Sequence, residues 1–159
     1  MNSPASYLRP ATEGRTIGVV GDVYRFLATG AETGGRFTLW EALVPPGGGP
    51  PPHIHLSDAE SFYVLEGEIT FQIGEERHTV RAGTYASIAP GDLHCFKNES
   101  GKPARMLIQV APAGIEEMFF EVGRPVPPGA TSAPPPDKAD IEKLLAAAPR
   151  YGIEMRIPH

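Results

Sequence analysis

Three imidazoles and one carboxylate carry most of the chemistry this sequence offers. His53 and His55 flank Ile54, Glu60 follows after a short bend, and His94 comes farther along the chain. In an extended strand residues i and i+2 face the same side, so His53 and His55 project together toward one point. Glu60 lies beyond the Leu56–Ala59 bend, at the entry to the next strand, where it can close on the same point. His94 reaches it from a facing strand if the sheet closes on itself. Imidazole nitrogen and carboxylate oxygen together suit iron, manganese, nickel, copper or zinc. Phe62 and Val64 share the parity of Glu60, and Phe96 shares that of His94. These three are expected to line an apolar substrate pocket around the ion. A dry pocket with an open metal position is the usual setting for Lewis-acid or O₂ chemistry.

The elements that must position these residues read as short strands. Runs of β type cover Thr16–Val20, Val23–Ala28, Phe37–Val44, Ser61–Leu65, Ile69–Ile73, Arg77–Val80, Thr84–Ala89, His94–Asn98 and Arg105–Val110. Each is bounded by Gly, Pro, Asn or Asp, or by a charged cluster, and Glu66-Gly67 and Gly74-Glu75-Glu76 read as hairpin turns. The 18 glycines and 18 prolines sit between the apolar runs, as in an all-β protein rich in turns. The tail changes character. Ile115–Val122 reads as a short helix anchored by Met118, Phe119 and Val122, and Arg124–Pro136 as a proline-rich connector. Asp137 then caps a helix over Ala139–Ala147, with Ile141, Leu144 and Leu145 on its apolar face and Pro149 as its stop. The expected organisation is an N-terminal arm (1–14), a β-barrel (15–112) and a C-terminal extension (113–159) packing on the barrel or on a second subunit.

Composition narrows the partners. The 159 residues fit one domain, and 41% hydrophobic and 21% charged residues are ordinary for a globular protein. A net charge of −5 with scattered basic residues argues against nucleic acid or an anionic membrane as partner. Cys95 is the single cysteine, so no intrachain disulfide forms, and a reducing compartment is the simpler setting. No run approaches the ~20 apolar residues of a spanning helix, and the first ten residues lack a signal-peptide core. The expected location is cytoplasmic.

The histidines sit in two longer patterns. The first is Gly47-x5-His53-Ile54-His55-x4-Glu60-x6-Gly67, and the second is Gly83-x5-Ala89-Pro90-Gly91-x2-His94-x3-Asn98. Both resemble the two signature motifs of the cupin superfamily. The first matches at every defined position. The second carries Ala89 where that family usually has proline, with Pro90 directly after it. The resemblance implies a small antiparallel jelly-roll β-barrel holding a metal ion through His53, His55, Glu60 and His94. It also implies turn roles for Gly47, Gly67, Gly83 and Gly91 and a structural role for Asn98. The Pro-Pro-His-Ile-His and Tyr-Val-Leu-Glu-Gly-Glu runs, and Tyr151-Gly152-Ile153-Glu154, resemble the quercetin 2,3-dioxygenase-like cupins. In the flavonol-cleaving members the matching glutamate is thought to take the substrate's hydroxyl proton, which makes Glu60 a candidate catalytic base as well as a ligand.

Other polar and aromatic residues read as ordinary. Asp58 is a solvated turn residue, His78 an exposed strand-edge histidine, His159 a disordered terminus, and Cys95 a packing residue pointing away from the metal. Trp40, Phe37, Phe71 and Tyr85 are expected in the core. Three functions remain open: a metal-dependent dioxygenase acting on a small aromatic or enol substrate with O₂, a metal-dependent isomerase, lyase or hydrolase, and a ligand-binding protein without turnover. A homodimer is expected, with the N-terminal arm and the C-terminal helix as candidate interfaces.

Overall fold

The computed structural model describes residues 4–157, so the expectation for His159 lies outside the described residues. The chain forms twelve strands: β1 Thr16–Val19, β2 Asp22–Ala28, β3 Thr38–Val44, β4 His53–His55, β5 Ala59–Glu66, β6 Glu68–Ile73, β7 Glu76–Arg81, β8 Tyr85–Ile88, β9 His94–Lys97, β10 Ala104–Ala111, β11 Arg124–Pro125 and β12 Ile153–Met155. Three α-helices join them: α1 Gly30–Thr33, α2 Ile115–Val122 and α3 Lys138–Ala147. A seven-stranded sheet runs β11-β1-β2-β3-β10-β5-β8, and a five-stranded sheet runs β12-β4-β9-β6-β7. The pairings between these strands are antiparallel. The two sheets face one another as an all-β jelly roll. They are not hydrogen-bonded into one closed barrel.

Alternation decides which side chains meet between the sheets. In β3 the odd outward positions Leu39, Glu41 and Leu43 interleave with buried Thr38, Trp40, Ala42 and Val44. In β10, Ala104, Met106, Ile108 and Val110 turn inward. Aromatic packing fills one end of the interior: Trp40 lies 5.5 Å from Tyr24 and 5.3 Å from Phe119 of α2 between ring centroids. Such tilted and edge contacts add to the area that each ring buries. Helix α2 thus closes an end of the sandwich with Met118 and Phe119, as its sequence pattern implies.

Several sequence readings are corrected here. Val20 is not a strand residue but the first turn residue between β1 and β2, with φ of +43°. Tyr85 sits on the outer face and is 64% exposed, because β8 is an edge strand whose odd positions face solvent. The α-helix ends at Ala147, two residues before Pro149, as expected, but the chain does not leave its helical course there. Proline fits the first turn of a helix, so the chain continues as a 3₁₀ turn over Ala148–Tyr151 and ends at Gly152 with φ of +71°. Leu145 points outward, whereas Leu144 and Ala147 are buried. The strand β12 that follows was not foreseen.

Candidate metal centre

The cluster is built from both sheets. Strand β4 carries His53 and His55 with Ile54 between them facing outward, and both histidines are buried. Its neighbour β9 places His94 directly across from His53. Glu60 comes from the opposite sheet, on β5 between Val110 of β10 and Ile88 of β8. The loop before β4 is fixed by a backbone pair to the end of β9: Gly47 N–H donates to Asn98 O at 2.7 Å and Asn98 N–H to Gly48 O at 2.9 Å. Gly49 lets this loop pass close by. A Cβ there would stand 2.0 Å from Phe96 O, and φ is +134°. The far end of β4 is tied by Gly91 N–H donating to His55 O at 2.8 Å. Asn98, fully buried, donates to Val44 O and Lys102 O and accepts from Ser100 N. The expected turn glycines at 47, 67, 83 and 91 all have positive φ.

One ligand atom from each of His53, His55, Glu60 and His94 lies within 4.8 Å of the others, and the four residues could hold a metal ion. Glu60 Oε1 is the hub, 2.7 Å from His94 Nε2, 3.3 Å from His55 Nε2 and 4.0 Å from His53 Nε2. Two rings are oriented from behind. His53 Nδ1–H donates to Pro51 O at 2.8 Å, and His94 Nδ1–H donates to Asp92 O at 3.0 Å. A carbonyl only accepts, so these bonds fix the tautomer and turn Nε2 inward, the arrangement that orients metal-ligating histidines. Among the described residues, Nδ1 of the buried His55 ring has no hydrogen-bond partner, and Nε2 meets only Glu60 Oε1, 3.3 Å away. A buried imidazole so sparsely partnered is costly, and a cation at the cluster centre relieves it. The donor set therefore fits a transition metal.

Electrostatics agree. Burial lowers His53 to about 4, with Glu60 pulling back the other way. Burial also acts to raise Glu60, but hydrogen bonds and electrostatic attraction from the surrounding imidazoles outweigh it and hold the carboxyl well below its ordinary range. Burial acts to lower His94, yet its bond to Glu60 wins and raises it. The site thus presents an anionic oxygen to an incoming cation.

An apolar cavity of about 40 Å³ adjoins the cluster and reaches His53 and Glu60. Its other walls include Tyr24, Trp40, Phe96, Ile108, Met118 and Phe119. Of the three expected pocket residues, Phe96 lines this cavity. Phe62 and Val64 lie in the packed core instead, with Phe62 edge-on to Phe71 at 5.0 Å and to Phe96 at 5.8 Å. Parity along a strand identifies the interior, but not which part of the interior stays unfilled. Tyr24 and Trp40 were missed as lining residues, although their inward parity on β2 and β3 is readable in the alternation. Ile153 and Met155 of β12 also line the cavity, because β12 pairs with β4 opposite His55 and His53. Asp58 is half-buried, and burial raises its carboxyl. His78 is exposed, and Cys95 is half-buried on the side away from the histidines.

Comparison with known proteins agrees with this geometry. The family profile described as Cupin domain matches residues 40–110. The chain is 30% identical over 123 residues to quercetin 2,3-dioxygenase of Aspergillus japonicus, covering 73% of this chain and 35% of that protein. It is 25% identical over 119 residues to quercetin 2,3-dioxygenase of Bacillus subtilis (strain 168), covering 75% and 35%. The chain therefore spans about a third of the length of these curated relatives. Its fold resembles that of a predicted oxalate decarboxylase from Thermotoga maritima, with a TM-score of 0.62 at 18% identity, covering 67% of this chain and 99% of that one. No helix among the described residues is long and apolar enough to cross a membrane. By its jelly-roll fold, its matched domain and its two histidine motifs, the chain carries a cupin domain over residues 40–110 and resembles the quercetinase-like cupins.

Proposed function

We propose that the protein is a metal-dependent dioxygenase of quercetin 2,3-dioxygenase type, acting on a small aromatic or enol substrate. The observation that carries this reading is a buried three-histidine, one-carboxylate cluster opening onto an apolar cavity. The two curated relatives named quercetin 2,3-dioxygenase support it. His53, His55, Glu60 and His94 would hold one divalent ion, iron, nickel, manganese, copper or zinc. When bound, that ion would supply a Lewis acid that holds an ionised substrate oxygen and brings it together with O₂. Both atoms of O₂ would enter the product, so no external reductant is required.

The chain's own residues have separable tasks. His53 and His94 are held by backbone carbonyls and keep Nε2 directed at the cluster. Glu60 uses Oε1 for its contacts with all three histidines, which leaves Oε2 as the oxygen that can take a proton from the substrate hydroxyl. Its lowered carboxyl makes it a better holder of cations than a base, so the proton transfer depends on the substrate hydroxyl being acidified first. Tyr24, Trp40, Phe96, Met118 and Phe119 exclude water and grip an apolar body. The cavity of about 40 Å³ has room for only roughly three water-sized groups, which favours a small enol over a full flavonol.

The test is oxygen consumption by metal-loaded protein offered small enols and flavonols. Substrate-dependent uptake that vanishes in His55→Ala supports the reading. Turnover that persists without oxygen would replace it with an isomerase or lyase, and binding without turnover would make the protein a ligand-binding cupin.

A further inference from the structure

The outer faces of the two sheets differ in character. On the five-stranded sheet the outward positions are Glu68, Thr70 and Gln72 of β6, Arg77, Thr79 and Arg81 of β7, and Cys95 and Lys97 of β9, so that face is charged and hydrated. On the seven-stranded sheet the outward positions of β3, β10 and β5 and of the edge strand β8 include Leu39, Leu43, Leu65, Leu107, Tyr63 and Tyr85. Tyr63 and Tyr85 stand directly opposite one another and are 44% and 64% exposed. The leucines are half-buried, with Leu107 next to Tyr63 on one side and Glu41 on the other. Together these side chains expose on the order of 400 Å² of apolar surface, about the largest patch an ordinary monomer carries. Exposed aromatic rings among half-buried leucines are the apolar centre that a specific interface needs.

The charges on this face are already neutralised. Arg105 donates to Glu41 at 3.0 Å and to Glu66 at 2.7 Å, and Arg25 donates to Glu41 at 3.4 Å. Two cations and two carboxylates cancel on a chain whose net charge is −5. Two acidic copies repel wherever their free carboxylates meet, but not across a face of zero net charge. A flat antiparallel sheet face also matches itself under a two-fold rotation, as an isologous contact requires.

We propose that the outer face of the seven-stranded sheet, centred on Tyr63, Tyr85 and Leu107, is the surface through which two copies of this chain associate. The two candidates suggested by the sequence fit less well. The N-terminal arm is tied to its own subunit, where Tyr7 Oη–H donates to Leu27 O and Arg9 binds Glu32, and its one fully exposed large apolar side chain among the described residues, Leu8, stands alone. Helix α3 turns Leu144 inward, and the large apolar side chains beside it that stay exposed are two leucines, Leu56 and Leu145. The pairing is independent of the metal chemistry, since the face lies on the opposite side of β5 and β10 from the cluster.

Sedimentation velocity on the full chain tests this. Wild-type protein at about 20 µM should run as a dimer, and Tyr63→Glu/Tyr85→Glu as a monomer, its dissociation constant raised roughly 30-fold or more. Both sites are exposed, so circular dichroism and metal content of the variant should match wild type. Leu56→Glu/Leu145→Glu should remain dimeric. Hydroxyl-radical footprinting of the wild type gives a second reading, with Tyr63 and Tyr85 protected at about 100 µM relative to about 1 µM. A monomeric wild type, a dimer that survives the tyrosine substitutions, dissociation by the Leu56/Leu145 substitutions instead, or oxidation of both tyrosines that is unchanged with concentration would each overturn the proposal.

Discussion

Replacing His55 with alanine distinguishes a packing imidazole from a metal-holding one. The residue is 2% exposed, Nδ1 has no partner among the described residues, and Nε2 meets only Glu60 Oε1 at 3.3 Å. In metal-free protein two effects oppose each other. Truncation forfeits packing and leaves a void, about 3 kcal/mol. It also removes a buried Nδ1 held without a hydrogen bond, which offsets ~1–3 kcal/mol of that loss. The stripped variant should therefore lose no more than about 2 kcal/mol relative to stripped wild type. Loaded protein behaves differently. Free metal at a thousand times its dissociation constant stabilises wild type by about 4 kcal/mol, and a site missing one of four ligands loses most of that. For a chain of 159 residues the difference is roughly 10 °C in midpoint. Thermal unfolding of both proteins, chelator-stripped and metal-reloaded, measures all four states. An equal loss of ~3 kcal/mol with and without metal would mean that His55 is merely packed, and the reasoning would fail.

Four further expectations follow from other parts of the site. His94 is raised by its bond to Glu60, so metal uptake at pH 7 should displace a proton, and calorimetric heats should scale with the buffer's ionisation enthalpy; buffer-independent heats would contradict this. His53 is depressed to about 4, so its contribution is present above the unfolded histidine value and is lost as pH falls toward 4. That loss reaches about 3 kcal/mol for His53 alone; Glu60 adds to it and His94 offsets part, and stripped protein as stable at pH 4.5 as at pH 7 would count against it. Asn98→Ala removes four hydrogen bonds of a fully buried side chain and should cost about 3 kcal/mol in denaturant titration, against under 1 kcal/mol if the side chain is incidental. Val20→Asn relieves a β-branched residue in left-handed backbone and should stabilise by about 1 kcal/mol; destabilisation would show that the Val20 contact with the cavity matters more.

The site was more legible in the sequence than the walls around it. His-Ile-His announces itself because a strand's period of two puts both rings on one side, and β4 does so. His94 and Glu60 were reachable because their glycine-flanked spacing is rigid, and the turns at Gly47, Gly67, Gly83 and Gly91 form with positive φ. Helix α2 was legible to its exact ends from its apolar stripe. Strand β12 was not, because three residues after a helical turn carry no periodicity, and its register is set by the open edge of β4. The cavity walls were only partly legible for a related reason. Phe62 and Val64 do face inward, but whether an inward side chain meets a neighbour or a cavity depends on the opposite sheet. Tyr85 reads as core by composition, while its edge strand exposes it.

The account rests most directly on whether this chain holds a metal at His53, His55, Glu60 and His94. Elemental mass spectrometry on protein purified without a metal-affinity step decides it, with the His55→Ala/His94→Ala variant measured alongside. Close to one equivalent of iron, nickel, manganese, copper or zinc in the wild type and none in the variant is the predicted result. A wild type free of metal that takes up none on reconstitution would contradict the account.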